Sequence, residues 1–286
     1  MTPMRHRVRL WFLLALPLLA SPLRSQSATG AIALSAHLAA SGAYPEPVRQ
    51  FTFYILTKSY ADITKEVASQ EVIPTREEFL GKLPVSPALK KWMKAHDVVD
   101  LTSPDLDKLV TVDDIMDIPE FFDAYERSNS GGVTKGLPRP KYKESDKQSN
   151  PDRYNKEREE YLAATRKFIE TNSYTIQGLE LELTSINPKS EWDKLVNTHN
   201  HKVAQLAPDT AQLKYLAAKG ETDLDGHAII RGLPAGSYWV SSLNSEATSG
   251  DRRMLWDVAA EVQAGRTTPV DLTNLNATDA HKPPTP

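Results

Sequence analysis

The stretch "ETDLDGHAIIRGLPAGSYWV" at residues 221–240 constrains the fold more than any other part of the chain. Glycine and proline interrupt it every few residues, and the segments between them are rich in β-forming residues. Together with the residues that flank it, the stretch predicts strands near 214–222, 227–231, 237–245, 252–263 and 267–274. The turns between these strands contain Gly226, Gly232, Pro234, Gly236, Gly250 and Gly265. Such spacing is typical of an antiparallel β-sandwich.

The start of this stretch also matches half of a calcium-binding pattern. In Glu221-x-Asp223-x-Asp225-Gly226, oxygen-bearing side chains alternate and a glycine stands at the sixth position, as an EF-hand loop requires. The twelfth position, which must hold a bidentate glutamate, is Gly232. We therefore reject calcium binding at this loop and interpret Asp225-Gly226 as a tight β-turn between two strands.

The same stretch resembles the repeat signature of carboxypeptidase regulatory-like domains, which are transthyretin-like (prealbumin-like) β-sandwiches. In that family a Thr-Asp-x-x-Gly turn, a short strand, a Leu-Pro-x-Gly turn and a Tyr-x-Val strand follow in this order. The matching residues are Thr222, Asp223, Gly226, Leu233, Pro234, Gly236, Tyr238 and Val240. The resemblance covers 216–275 and implies a fold rather than an activity. The opening "FTFYILTKSYADI" is also similar to exported proteins of soil bacteria.

The expected fold class is α+β, with an antiparallel transthyretin-like β-sandwich and a large helical insertion after its first strand. "PVRQFTFYIL" at 47–56 alternates apolar and polar residues and supplies that first strand. "TIQGLELELTSI" at 175–186 alternates leucines and predicts another strand. Between these two stretches, hydroxyl residues that precede proline or acidic residues mark helix starts at Thr75, Ser86, Ser103 and Thr111.

Composition divides the chain into segments of different kinds. Arginines precede an apolar run from Leu10 to Ala20, which is the pattern of a secretory signal. A segment rich in Ala and Ser follows, and a Gly-, Pro- and Lys-rich connector interrupts the insertion. The predicted segments are a signal peptide at 1–27, a flexible segment at 28–45, a β-sandwich at 46–70 and 174–275 with a helix at 190–206, a helical insertion at 71–173 with a connector at 128–152, and a disordered tail at 276–286.

The absence of cysteine narrows the classes of protein further. An exported chain without cysteine fits a bacterial periplasm or exterior better than a eukaryotic secretory route. It cannot use a thiolate nucleophile or bind zinc through sulfur. The net charge of −3 becomes more negative once the arginines of the signal are removed, which disfavours nucleic acid as a partner. We expect no cofactor and no transmembrane segment in the mature chain.

The sequence has no recognised catalytic motif. Gly-x-Ser-x-Gly, His-Glu-x-x-His and a phosphate-binding glycine loop do not occur. Asp113 and Asp114 begin the densest acidic cluster, which could hold a cation or act as paired carboxylates. The alternative is that these acids complement helix dipoles.

Three further residues are candidates for binding. His199 lies on the apolar stripe of the 190–206 helix, where a hydrogen-bonded core histidine is the favoured interpretation. His227 follows the Asp-Gly turn, and Trp239 follows Tyr238 in a predicted strand. Because side chains alternate along a strand, Tyr238 and Trp239 are expected to face opposite sides.

These observations favour a non-catalytic exported module of the cell envelope that binds or supports other molecules through protein or glycan contact. One alternative is a hydrolase-type enzyme in which Asp113 and Asp114 act with His199 or His227 where the insertion meets the sandwich. Another is an accessory domain that regulates a partner enzyme.

Overall fold

A computed structural model of the protein describes residues 29–130 and 134–280, which form two compact units. The β unit lies within Met1–Ser59 and Leu216–Pro286, and the helical unit is Tyr60–Tyr215. The described chain therefore has the α+β composition expected from the sequence. The predicted signal peptide at 1–27 lies outside the described residues, as does the end of the predicted tail from residue 281.

The β unit consists of two sheets. In chain order its described strands are β1 Thr29–Leu38, β2 Glu46–Pro47, β3 Thr52–Leu56, β4 Leu216–Glu221, β5 His227–Pro234, β6 Gly236–Ser241, β7 Ala247–Ser249, β8 Arg252–Val262, β9 Thr267–Leu272 and β10 Ala277–Asp279. The first sheet has the order β2-β1-β5, and β9 also pairs with β1. The second has the order β10-β8-β6-β3-β4, with β7 on β8. The β1–β9 pair is parallel, and the other described pairs are antiparallel.

The two sheets share one hydrophobic core. Ile32 and Leu34 of β1 meet Phe53 of β3 and Trp256 of β8 in this cluster. The Trp256 ring packs 5.8 Å from the Phe53 ring, and its indole N–H donates a hydrogen bond of 3.0 Å to the carbonyl oxygen of Thr273. Burying a tryptophan contributes about 4–6 kcal/mol, at about 25 cal/mol per Å² over 150–250 Å².

The prediction that 28–45 is flexible is wrong for the first part of this segment, because Thr29–Leu38 forms strand β1. Alternate residues of this strand are buried, and β5 and β9 both pair with it. The Ala- and Ser-rich composition has little β propensity of its own, so the tertiary pairing decides the conformation. The predicted disorder of 276–286 is wrong at Ala277–Asp279, which pairs with β8 as strand β10.

Strands β3 and β4 are neighbours although the whole helical unit lies between them in sequence. They pair antiparallel, and the register places Leu56 opposite Leu216 at the point where the chain leaves and re-enters the sheet. The helical unit is therefore inserted between two paired strands and follows the strand predicted at 47–56. The expectation that this strand is the first is wrong, because β1 and β2 precede it. The insertion is Tyr60–Tyr215 rather than 71–173.

The helical unit is built from helices of unequal length. In chain order they are α1 Tyr60–Gln70, α2 Arg76–Lys82, α3 Pro87–Ala95, α4 Leu106–Leu109, α5 Val112–Asp117, α6 Pro119–Ser128, α7 Asp146–Ser149, α8 Pro151–Thr171 and α9 Lys189–Thr210. Their core is a separate hydrophobic cluster that includes Leu89, Phe121 and Tyr125. In the predicted connector at 128–152, residues 134–145 contain neither helix nor strand, and 131–133 lie outside the described residues.

Three of the four predicted helix starts are confirmed. Thr75 and Thr111 form capping boxes with Glu78 and Asp114, so that each hydroxyl and each carboxylate satisfies a backbone N–H at the helix end. The Ser86 hydroxyl accepts a hydrogen bond from the backbone N–H of Leu89. The fourth start is displaced, since α4 begins at Leu106 with Asp105 rather than Ser103 as its N-cap.

The strand predicted at 175–186 is wrong. Ser173–Ile176 and Leu179–Ile186 form two 3₁₀ segments, joined through Gly178 at φ +85°. Leu179 and Leu183 are buried, whereas Leu181 is exposed, so the apolar side chains that pack are four residues apart. This segment and α9, which contains the predicted helix at 190–206, belong to the helical unit and not to the β unit.

Candidate functional site

The candidate site lies on a part of α9 whose apolar stripe is incompletely packed. Near one end of the helix, the Trp192 ring packs 5.1 Å from that of Phe79. Near the other end, Val203 and Ala207 pack against Val67 of α1. Between these contacts, Leu195 and His199 stay half-exposed although they lie on the same stripe. A helix face of this kind leaves apolar surface available to another molecule.

An open cavity of about 650 Å³ adjoins this half-exposed part of α9, and we name it the α9 groove. Its apolar walls are Val72, Ile73, Phe79 and Leu195. Val72 and Ile73 belong to the link between α1 and α2, and Val72 is 86% exposed. A cavity of this size accommodates several apolar side chains and is typical in volume of ligand pockets.

The rim of the α9 groove carries both signs of charge. Its polar residues are Glu71, Glu191, Lys194, Thr198, His199 and Lys202. The Glu71 carboxylate pairs with the Lys202 ammonium at 2.5 Å, and both groups remain partly exposed. An exposed pair of this kind contributes little to stability. Its effect here is to balance the charge at the rim, so that the groove does not attract anions or cations strongly.

His199 is the only one of the predicted site residues that lines the α9 groove. The sequence predicted that His199 is a hydrogen-bonded histidine of the core. The predicted burial is wrong, because the side chain is half-exposed at an open cavity. Asp113 and Asp114 are not among the residues that line this cavity. The structure therefore does not place the predicted acids beside the predicted base in the groove.

The acidic cluster that begins at Asp113 has structural partners. The Asp113 carboxylate pairs with the Arg166 guanidinium. One Asp114 oxygen accepts hydrogen bonds of 2.9 and 2.7 Å from the backbone N–H and hydroxyl of Thr111. These contacts confirm the interpretation of Asp114 as a first-turn acid that stabilises the start of a helix.

Further along, Glu120 also acts at a helix start. Its two carboxylate oxygens accept hydrogen bonds of 2.6 and 2.7 Å from the backbone N–H and the hydroxyl of Ser86, the N-cap residue of α3. Asp114 and Glu120 thus stabilise the starts of two short helices. Among the described residues, no group of three or more histidine, aspartate or glutamate side chains is arranged to hold a metal ion.

The Thr-Asp-x-x-Gly stretch forms the predicted turn. An Asp223 carboxylate oxygen accepts hydrogen bonds of 2.9 and 2.8 Å from the backbone N–H groups of Asp225 and His227. The N–H of His227, followed by that of Asp225, holds the pKa of Asp223 below its usual value. Gly226 has φ +80°, as the turn requires. The carboxylate that resembled a calcium ligand therefore closes the turn.

Thr222 ties this turn to the segment before β3. Its buried hydroxyl donates a hydrogen bond of 2.6 Å to the carbonyl oxygen of Val48 and accepts one of 3.0 Å from the N–H of Phe51. The threonine and aspartate of the signature thus perform separate structural tasks in one loop. Neither residue is available for chemistry without loss of these bonds.

The prediction that Tyr238 and Trp239 face opposite sides of their strand is confirmed. Tyr238 is buried in the core of the β unit, and its hydroxyl donates a hydrogen bond of 3.0 Å to the carbonyl oxygen of Pro234. Trp239 is half-exposed on the other face of β6. Of the predicted site residues, His227 and Trp239 lie in the β unit, and Asp113, Asp114 and His199 lie in the helical unit.

Sequence reasoning missed the groove walls contributed by Val72, Ile73 and Phe79. A signal was present, because "VIPT" places two β-branched apolar residues, Val72 and Ile73, in a short link between a helix and a capping box. Links of this kind are usually polar. Their apolar character indicates a binding surface once α9 is known to lie beside them.

Comparison of the chain with family models, with curated proteins and with solved structures finds no match in any of the three. Within residues 29–130 and 134–280, no helix has both the length and the apolar character needed to cross a membrane.

Proposed function

We propose that the protein is a non-catalytic binding module of the bacterial cell envelope, and that its α9 groove holds an apolar segment of a partner protein. The observation that carries this proposal is the apolar wall of a cavity of about 650 Å³, in which Val72 is exposed and Ile73 and Leu195 are half-buried. Exposed apolar surface next to a cavity costs free energy in water, and a partner that covers it recovers that cost.

The lining of the groove favours a protein segment over a glycan. Val72, Ile73 and Leu195 are aliphatic, and aliphatic side chains give sugars neither a flat stacking surface nor hydrogen bonds. The ring of Phe79, the fourth apolar wall, already packs 5.1 Å from the Trp192 ring. The balanced rim, with Glu71 paired to Lys202, also disfavours a strongly anionic polymer. A segment with a few apolar side chains flanked by charges of both signs complements this arrangement.

Two parts of this proposal rest on the sequence. Export to the envelope rests on the basic and apolar pattern of residues 1–27. The identification of the β unit as a transthyretin-like sandwich rests on the signature from Thr222 to Val240. The joint action of Thr222, Asp223 and Gly226 in one turn supports that identification, because it gives these three signature residues a physical reason.

The test is selection of binding peptides from a displayed random library on the purified protein, followed by affinity measurement on variants. We expect the selected peptides to be apolar, and V72D to weaken their binding by about tenfold or more, because it places a charge against an apolar ligand. L213D is the matched control, since Leu213 is also in the helical unit and is 89% exposed but does not line the groove.

Several outcomes would contradict the proposal. Peptides that bind V72D and L213D equally well would show that the groove is not the site. Binding of oligosaccharides in a glycan array, lost in V72D, would replace the protein partner by a glycan. Concentration-dependent dimerisation that V72D abolishes, measured by sedimentation, would identify the occupant as a second copy of the chain.

A further inference from the structure

The outward face of the first sheet brings two histidines together on neighbouring strands. Along β1, Ile32, Leu34 and Ala36 are buried in the core, so Ser35 and His37 point to the opposite face. His227 stands directly across from Ser35 on β5 and is exposed. His37 is therefore the diagonal neighbour of His227, and the two ring centroids lie 6.1 Å apart in an edge-to-face arrangement.

We propose that His37 and His227 form a two-histidine chelate for a divalent transition metal, with Cu²⁺ bound most tightly. Imidazole nitrogen is a preferred ligand of Cu²⁺, Ni²⁺ and Zn²⁺, and affinity in this series peaks at copper. A metal–nitrogen bond of about 2.0–2.1 Å requires the rings to turn toward a shared ion. His227 can turn because its side chain is exposed.

Ser35 orients one of the two ligands. Its hydroxyl oxygen lies 3.3 Å from Nδ1 of His37. When Nδ1–H donates to this oxygen, the lone pair of the imidazole is on Nε2, which is then the metal-binding nitrogen. Metal-binding histidines commonly hold their second ring nitrogen through such a hydrogen bond, which fixes the tautomer and the ring orientation.

A carboxylate lies on the third strand of the same face. Asp271 of β9 stands across from Ser35 on the side opposite His227, and it is exposed between the buried Val270 and Leu272. It is thus also a diagonal neighbour of His37. Its negative charge favours a cation on this face of the sheet.

The backbone that carries these side chains is held firmly. β1 pairs with β5 and with β9. The backbone N–H of His227 donates a hydrogen bond of 2.8 Å to the Asp223 carboxylate, and the carbonyl oxygen of His227 accepts one of 2.8 Å from the backbone N–H of Asp223. A rigid sheet reduces the entropy lost when two side chains close on one ion. The rotation of two side chains is the main ordering that binding requires.

The proposal is tested by titrating tag-free protein with Cu²⁺ against a competing chelator, with H37A, H227A and the double variant. We expect each single variant to bind about tenfold more weakly, and the double variant to lose little more, because one imidazole alone cannot chelate. Electron paramagnetic resonance of the 1:1 complex should show two coupled imidazole nitrogens in the wild type and one in each single variant.

H201A is the matched control, because His201 is an exposed histidine on α9 and its removal lowers the number of imidazoles equally. It should keep the affinity and the spectrum of the wild type. Equal melting temperatures without metal will show that all variants fold. The proposal is overturned if the wild type binds Cu²⁺ no more tightly than the double variant, or if H201A weakens binding as much as H37A does.

Discussion

At Gly226 the backbone conformation and the lack of space for a side chain both exclude other residues. The residue has φ +80°, and an added Cβ would stand 2.5 Å from the carbonyl oxygen of Ala36. Gly265 has a similar φ of +71°, but no atom lies within 4 Å of its added Cβ. We therefore expect G265A to lower the free energy of unfolding by about 1 kcal/mol and G226A by about 3 kcal/mol. Urea unfolding measures both, and equal losses would contradict the close contact with Ala36.

The Asp223 carboxylate gives the same turn a dependence on pH. Backbone hydrogen bonds from His227 and Asp225 hold its folded-state pKa below the unfolded value of about 3.9. Its contribution to stability is therefore complete above the unfolded pKa and is lost as the pH falls through the lower folded pKa. D223N keeps an acceptor oxygen but cannot ionise. We expect the melting temperature of the wild type to exceed that of D223N at pH 6, and the difference to shrink below pH 4. A difference that stays constant down to pH 2.5 would show that the charge has no role.

At the scale of an element, the burial of the leucines in 179–186 distinguishes a 3₁₀ segment from a strand. In a strand, Leu179, Leu181 and Leu183 would share one face, but in the 3₁₀ segment Leu183 is buried and Leu181 is 72% exposed. L183A should lower the free energy of unfolding by about 3 kcal/mol and L181A by less than about 0.5 kcal/mol. Chemical unfolding of the two variants measures this, and similar losses would indicate that the leucines alternate as in a strand.

The sequence predicted well those features that depend on interactions between residues close together in the chain. Capping at Thr75, Ser86 and Thr111 depends on residues within one turn of the chain, so a short window contains the whole interaction. The conformations of β1 and of 179–186 depend on partners far away in sequence, which override the local composition. The candidate site shows the same limit. His199 was visible on its stripe, but the groove exists only because the α1–α2 link lies beside α9.

For the whole molecule, the pairing of Leu56 with Leu216 makes the helical unit removable in principle. The two strands that flank it are already neighbours, so a short Gly/Ser turn can replace Tyr60–Tyr215 without moving either strand. We expect the shortened chain to keep a cooperative thermal transition and a β-type circular dichroism spectrum. A matched deletion that also removes β3, which lies between β6 and β4, should abolish the transition. Loss of the transition in both chains would mean that the β unit does not fold alone.

The position of β1 at the start of the described chain also sets the order in which the protein folds. Its neighbours β5 and β9 come from 227–234 and 267–272, so this early strand cannot complete its sheet until nearly all of the chain has been synthesised. Contacts between residues so far apart in sequence form slowly. The helical unit, whose contacts are complete by Tyr215, is able to fold first. The β unit therefore closes last, after Thr267–Leu272 has been synthesised and can pair with β1.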